Sequence, residues 1–357
     1  MRYASIMAGG SGTRLWPMST TDKPKQLLRF INGQSLLGTS AGRLMGLVDA
    51  QNIFVCTSNS YAQKVLAELP FLTPNRLLGE PMGRDTLNAV GFSAAVIHKL
   101  DPDATLAILT ADHLITPVAE FQRTLQLAFD LVDQKPDYLF TFGVKPTHAA
   151  TGFGYLECGE PVADRARRVL AFREKPDAMK AGEYLRSGKH LWNSGMFVWK
   201  TATILEQIRI HQPEAYAGLE QIASCYGTPN FIRKVDEVYP TLPKISIDYA
   251  IMEKAPLVAT IPMDVEWLDV GSWSSYAQTL VADADGNRNS LAELLAIESH
   301  GIVAVSDAPH LVAVVGLNNI VVVNSGHVTM VCPVDQCEKV KLLAQAAQKA
   351  FPDGYKR

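Results

Sequence analysis

The chain has 357 residues, 47% of them hydrophobic and 19% charged, with a net charge of -3 at neutral pH and a pI near 6.3. This suits a soluble globular protein with one large domain and a smaller one, and gives no global attraction to nucleic acid or to an anionic membrane. No apolar run approaches the ~20 residues of a membrane helix, and the first apolar run stops at Gly9 without a cleavage pattern. The five cysteines (Cys56, Cys158, Cys225, Cys332, Cys337) are odd in number, and only the last two lie close together. No second pair completes a zinc site, so free thiols in a reducing, cytoplasmic setting are expected.

In chain order, short β-branched runs alternate with longer helical patterns. "YASIM" (3–7), "NIFVCTS" (52–58), "TLAILTAD" (105–112) and "YLFTFGV" (138–144) read as strands. Between them "SLLGTSAGRLMGLV" (35–48), "DTLNAVGFSAAVIHKL" (85–100) and "EFQRTLQLAFDLV" (120–132) read as helices. Leu87, Val90, Ala94 and Ile97 recur at spacings of three and four, which places them on one helix face, with Asp85 as N-cap. The alternation predicts an α/β fold with a Rossmann-like, mostly parallel sheet flanked by helices. Ligands of such sheets bind beyond the carboxyl ends of the strands.

After about residue 150 the pattern becomes strands, turns and one short helix: "GFGYLE" (152–157), "RVLAFREKP" (168–176), "LWNSGMFVWK" (191–200) and "PLVATIPM" (256–263), with "SIDYAIMEK" (246–254) helical. This reads as an insertion built on the sheet. Turn-formers then cluster in "DADGNRN" (283–289). Four short β runs follow, "GIVAVS" (301–306), "LVAVVG" (311–316), "NIVVVN" (319–324) and "HVTMV" (327–331), and then a helix over about 336–350. The expected domains are therefore 1–286, a large α/β domain, and 287–357, a small C-terminal β module compatible with a short β-helix.

The loop after the first strand, "MAGGSGTRLWPMSTTDKPKQLLRF" (7–30), is the densest in chemistry. A dinucleotide fingerprint fails because its third glycine position is Leu15, and a P-loop fails because its second falls on Arg14. Between Arg14 and Arg29 stand four cations and one anion, Asp22. Bare glycines bring backbone close to a ligand, and clustered cations suit a polyphosphate.

Read together, "AGGSGTRLWP", "PKQLL", "GEPMGRDT", "LTADHLI", "TGFGYLE", "FREKPD", "WNSGMFVW", "SIDYAIMEK", "LDVGSW" and "LVAVVGLNNIVVVN" occur in the order seen in the sugar-phosphate nucleotidylyltransferases. The tryptophan–proline pair and "PKQ" resemble the mannose-1-phosphate guanylyltransferase branch. The resemblance implies the nucleotide-diphospho-sugar transferase type of fold. It also implies transfer of a guanylyl group from GTP to mannose 1-phosphate, with Mg²⁺ as cofactor and a homodimer as the assembly. It places Ala8, Gly9, Gly10, Gly12 and Thr13, and Glu80, Pro81 and Gly83 of the base loop, against the nucleotide. Arg14 and Lys25 fall on the triphosphate and Lys175 on the sugar phosphate. Gly154, Glu174 and Asn193 fall on the sugar. Asp112, also close to the nucleotide, and Asp269 are the metal carboxylates. Where the family usually has Asn-Thr-Ala-Pro after "GR", this chain has Asp85, Thr86, Leu87 and Asn88. Other bases and sugars, as in makers of GDP-heptose or dTDP-glucose, stay open at this point, as does a non-catalytic sugar-nucleotide sensor.

Overall fold

The first strand, β1 (Arg2–Met7), buries Tyr3, Ala4, Ser5 and Ile6 in succession, so it is covered on both faces, as an inner parallel strand is. The computed structural model to which it belongs describes residues 1–10, 12–20, 22–29 and 33–351. Its strands continue as β2 (Ile53–Ser58), β3 (Leu77–Glu80), β4 (Thr105–Thr110), β5 (His113–Thr116), β6 (Leu139–Val144), β7 (Tyr155–Ala163), β8 (Ala166–Arg173), β9 (His190–Lys200), β10 (Val258–Met263) and β11 (Glu266–Asp269). Last come β12 (Arg288–Ile297), β13 (Val303–Val315), β14 (Ile320–Ser325) and β15 (Val328–Pro333).

Contacts divide the chain into two units, one of residues 1–9, 37–111 and 115–267, the other of 10–36, 112–114 and 268 onward. The first unit holds a nine-stranded sheet in the order β3-β2-β1-β4-β9-β6-β10-β8-β7. β1 pairs in parallel with β2 and β4, β2 with β3, and β6 with β10. Strand β9 runs antiparallel between β4 and β6, and the β7–β8 hairpin extends the edge beside β10. The insertion read from the sequence is thus part of the main sheet. Helices Asp85–Leu100, Thr201–His211 and Pro213–Ser224 contribute to its main apolar core, and Leu87, Val90, Ala94 and Ile97 all point into it.

Several local expectations change. The helix expected over 35–48 covers only Leu36–Gly42, because the chain turns again at Gly46, whose φ is 80°. Asp85 is the first helical residue rather than the cap, and its carboxylate accepts the Thr86 N–H at 2.9 Å. "SIDYAIMEK" contains one π-helical turn, Asp248–Met252. The insertion holds the one short helix expected, Ala178–Ser187, and three more, Thr201–His211, Pro213–Ser224 and Phe231–Val238.

The second unit is built around a four-stranded sheet in the order β12-β13-β14-β15. β12, β13 and β14 are parallel neighbours joined only by residues 298–302 and 316–319. Parallel neighbours ordinarily need crossovers of a dozen or more residues, so these links wind the chain like a coil. The strand β12 escaped the sequence reading, and "GIVAVS" and "LVAVVG" join as the single strand β13. The C-terminal helix begins later than expected, at Val340, after a 3-10 segment, Val334–Lys339.

The core of this unit joins Leu15, Met18, Leu28 and Leu36 of the glycine-loop region to Val270, Trp273 and Tyr276, and to Val303, Val305, Val321, Val323, Met330, Cys337 and Val340. Trp273 is fully buried and its indole N–H donates to the Trp16 carbonyl at 2.9 Å. Trp273→Ala should therefore cost about 3–5 kcal/mol, and Trp273→Phe less. Equilibrium urea unfolding measures both; an alanine variant within 1 kcal/mol (roughly) of the parent would contradict this role for Trp273.

Candidate functional site

The glycine loop leaves β1 through Ala8. The Ala8 N–H donates to the Cys56 carbonyl at 2.8 Å and its own carbonyl accepts the Thr57 hydroxyl at 2.8 Å, which anchors the loop's start. Gly10 has φ 90° and faces open space. Gly12 has φ 63°, and a Cβ there would lie 2.5 Å from the Lys25 Cβ and 2.9 Å from the Ser19 hydroxyl. Only glycine fits, both for its backbone and for the close approach of Lys25. Thr13, Arg14 and Leu15 then form a 3-10 turn, with Leu15 buried and Thr13 and Arg14 exposed. Lys25 opens a second 3-10 turn, Lys25–Leu27, behind Pro24.

Lys25 reaches Asp112 in a close ion pair, the ammonium being 15% and the carboxylate 23% exposed. Burial alone would push the lysine down, but Asp112 and Asp269 outweigh it and hold it above its ordinary value. Burial would likewise raise Asp112, but Lys25 and then His113 hold its carboxylate well below the usual range. Asp112 lies two residues past the end of β4, and the Val270 N–H donates to its carbonyl at 3.2 Å. This joins the segments that carry Asp112 and Asp269. One oxygen or nitrogen from each of Asp112, His113 and Asp269 lies within 4.8 Å of the others.

Asp269 Oδ1 is buried with no hydrogen-bond partner among the described residues. An orphaned carboxylate oxygen beside a second carboxylate fits a hard cation with oxygen ligands. The donor set therefore suits a divalent metal, held by Asp112 and Asp269 with His113 beside them.

Arg14 is paired at 2.8 Å, through Nε, with Glu338 of the 3-10 segment Val334–Lys339. Contact through Nε leaves the two terminal amino groups of the guanidinium as donors for an incoming anion. Glu338 was not singled out in the sequence, where it is one acid in a polar stretch.

In the other unit, Glu80 ends β3 and is 7% exposed. The Tyr239 hydroxyl donates to its Oε1 at 2.5 Å, and burial raises the carboxyl above its usual range. The other oxygen lies 3.6 Å from where a Gly9 Cβ would be. Pro81 and Gly83 follow at the surface. In the helix that follows, the Thr86 hydroxyl accepts the Ile247 N–H at 2.9 Å, and Asn88, one of the departures from the usual family pattern, donates from its amide to the Pro243 carbonyl at 2.6 Å.

Gly154, Glu174, Lys175 and Asn193 come together. A Cβ on Gly154 would lie 2.6 Å from Glu174 Oε2 and 3.5 Å from the Asn193 Cβ, and the Gly154 carbonyl accepts the Asn193 N–H at 2.8 Å. Strand β8 ends at Arg173, and Lys175 takes φ 46°, so neighbouring residues turn to meet as a Glu174–Lys175 ion pair rather than to opposite faces. Asn193 accepts the Thr141 hydroxyl at 2.9 Å and donates to Asp248 Oδ1 at 3.2 Å. Asp248 was missed; its only sequence signal is a lone carboxylate in the apolar run "SIDYAIM". Burial, then the Glu174 carboxylate, raise its pKa to about 7 against the opposing pull of Lys175.

The family model described as Nucleotidyl transferase matches residues 3–286, and one described as the MannoseP isomerase/GMP-like beta-helix domain matches residues 292–345. The chain is 33% identical to the mannose-1-phosphate guanylyltransferase RfbM of Salmonella typhimurium, over 99% of this chain and 74% of that protein. It is 35% identical to a putative mannose-1-phosphate guanylyltransferase of Vibrio cholerae, over 95% of this chain and 73% of that one. A solved structure from Thermus thermophilus, described as a mannose-1-phosphate geranyltransferase, superposes with TM-score 0.86 at 32% identity, covering 97% of this chain and 98% of that one. Among the described residues no helix is long and apolar enough to cross a membrane. The chain therefore belongs to the nucleotidyl transferase family, in its mannose-1-phosphate guanylyltransferase branch, and is a nucleotidyltransferase.

Proposed function

We propose that the protein makes GDP-mannose and pyrophosphate from GTP and mannose 1-phosphate. The observation that carries this is the cation-and-carboxylate group of Gly12, Lys25, Asp112 and Asp269, built for a polyphosphate with a metal. The names of the relatives support the substrates. A phosphate monoester has its second pKa near ~6, so the attacking oxygen of the sugar phosphate is already ionised. It forms a bond to the α-phosphorus of GTP as the bond to the pyrophosphate oxygen breaks. No general base is required; the demand is for positioning and for positive charge.

In this reading Lys25 holds the triphosphate, and the free amino groups of Arg14 take the leaving pyrophosphate. Glu80, an acceptor fixed by Tyr239, faces the N–H edge of guanine. Glu174, Asn193 and Asp248 hold sugar hydroxyls, and Lys175 the sugar phosphate. Asp112 and Asp269 would hold Mg²⁺, which when bound supplies charge neutralisation at the phosphates. A cytoplasmic homodimer is the proposed setting. It is supported by apolar side chains that β12 and β13 leave exposed, Leu291, Leu295, Ile297, Leu311 and Val315.

The test is pyrophosphate release with GTP, ATP, UTP and dTTP, each against mannose 1-phosphate and glucose 1-phosphate. GTP with mannose 1-phosphate should give the highest kcat/KM, because a site that pairs with a base edge leaves groups unpaired with the wrong base, at ~1–3 kcal/mol each. Equal kcat/KM for GTP and dTTP would refute the base assignment.

For the carboxylate pair, Asp112→Asn and Asp269→Asn should each lose at least ~10²-fold in kcat. The double variant should be little worse than either, since they act as one unit. Full turnover in excess chelator would remove the metal from the reading.

Asp248 carries a pH prediction. Its pKa in the folded chain is about 7, above the ordinary aspartate value. Between those values the native state binds more protons than the unfolded one, so its contribution to stability falls as pH rises towards 7 and stays low above it. Asp248→Asn should flatten that fall and be the more stable protein at pH 8 in urea melts. An unchanged pH profile would return Asp248 to an ordinary surface-like carboxyl.

A further inference from the structure

Cys332 and Cys337 serve no step of the proposed reaction, yet their sulfurs lie 4.0 Å apart. Cys332 is half-buried on β15, which is the edge strand of its sheet, so its backbone is paired on one side only, with Val321 opposite. Cys337 is 1% exposed, in the 3-10 segment Val334–Lys339, and its sulfur also lies 3.9 Å from the Pro333 carbonyl. Cys337 belongs to the apolar cluster that contains Leu15, and Cys332 and Trp16 pack against it; Leu15 and Trp16 follow Arg14 in sequence. The residue after Cys337 is Glu338, which holds Arg14. The other three cysteines have no cysteine neighbour of this kind among the described residues.

We propose that Cys332 and Cys337 form an oxidation site that takes a hydroperoxide and closes to a disulfide, displacing Glu338 from Arg14. The two thiols are not equivalent. The contact between the two sulfurs holds the Cys332 thiol below its ordinary value and pushes the Cys337 thiol up. The more exposed, more acidic sulfur is the one that meets peroxide first. Its thiolate takes one oxygen as the O–O bond breaks, giving a sulfenic acid and hydroxide. The Cys337 sulfur then attacks that sulfur, the S–O bond breaks, and the oxygen leaves as water with the Cys337 proton. In sum two thiols lose two electrons and one peroxide becomes two waters.

A disulfide is about 2.05 Å long, so the two sulfurs must close roughly half their present separation. Cys332 lies on an edge strand, paired on one side only, and Cys337 lies in a short 3-10 segment, so closure draws that strand and that segment towards one another. Movement of that segment carries Glu338 with it, and the guanidinium of Arg14 loses the anion that fixes its Nε.

The activity arm of the test rests on the guanylyltransferase reading; the thiol arm does not. The full-length protein is treated with hydrogen peroxide, its thiols are titrated, and the linked peptides are mapped. A Cys332–Cys337 link should form and reverse with dithiothreitol. With it, kcat/KM for GTP should fall about fivefold, the scale of one exposed ion pair. Cys332→Ser, which spares the buried Cys337, should match the reduced parent and ignore peroxide. Absence of the link, or a serine variant as sensitive as the parent, overturns the site. A link with unchanged kcat/KM overturns the coupling to Arg14. If the reduced parent does not turn over GTP and mannose 1-phosphate, the functional reading fails, while the peptide map still decides the thiol chemistry.

Discussion

The Lys25–Asp112 ion pair is the constraint around which the carboxylate group of Asp112 and Asp269 is arranged. Two opposite charges taken largely out of water contribute little unless their geometry is held firmly and their remaining lone pairs are met. Here the holding is done by shape. Gly12 has no side chain, so the Lys25 stem can lie against the loop backbone; Pro24 sets the entry of the turn; the carbonyl of Asp112 is fixed by the backbone of Val270. What is not met is the second carboxylate. Asp269 Oδ1 is buried and has no partner among the described residues, while the ammonium of Lys25 is already committed to Asp112. The group is short of one positive charge, which is the condition a divalent cation relieves.

The cluster of Glu174, Lys175 and Asp248 applies the same arithmetic with a different outcome. Glu174 and Asp248 are two carboxylates with one ammonium, Lys175, which is committed to Glu174. The surplus is relieved by a proton: Asp248 stays neutral to about pH 7. One group answers its charge imbalance with a carboxylate oxygen left open to a cation, the other with a raised pKa. A neutral Asp248 can donate as well as accept, so the cluster can match hydroxyl groups that themselves do both.

Legibility followed how local each signal is. The parallel strands and the helix Asp85–Leu100 could be read because burial imposes a period on neighbouring residues. The glycine loop was readable because glycines and cations recur within a short stretch. The Glu174–Lys175 meeting has a local signal in Pro176, a residue that does not continue a strand, just past the end of β8 at Arg173. Partnerships across long separations left no such trace. Tyr239 lies 159 positions from Glu80, and nothing near either announces the other. Arg14 and Glu338 lie at opposite ends of the sequence. Strand β12 was missed because leucine, alanine and glutamate have little strand preference of their own, and the segment gains its strand form from pairing with β13.

That last dependence explains why the C-terminal coil belongs to the chemistry rather than merely following it. Leu15 and Met18, on either side of the Trp16–Pro17 step after Arg14, are buried in the same cluster as Val303, Val321, Met330 and Val340. A loop made of glycine, serine and threonine has too little apolar surface to fix itself, and its backbone entropy opposes any single conformation. Its order must come from the few large residues it does carry, and those are buried against the coil. The coil in turn has parallel strands joined by links too short to hold a helix, so one of its faces must find cover elsewhere. Each part supplies what the other lacks: the loop's Leu15 and Met18 help to cover the coil, and the coil holds the segment from which Arg14 projects. Preorganised charge, the main requirement of phosphoryl transfer, is therefore a property of the whole unit and not of the glycine motif alone.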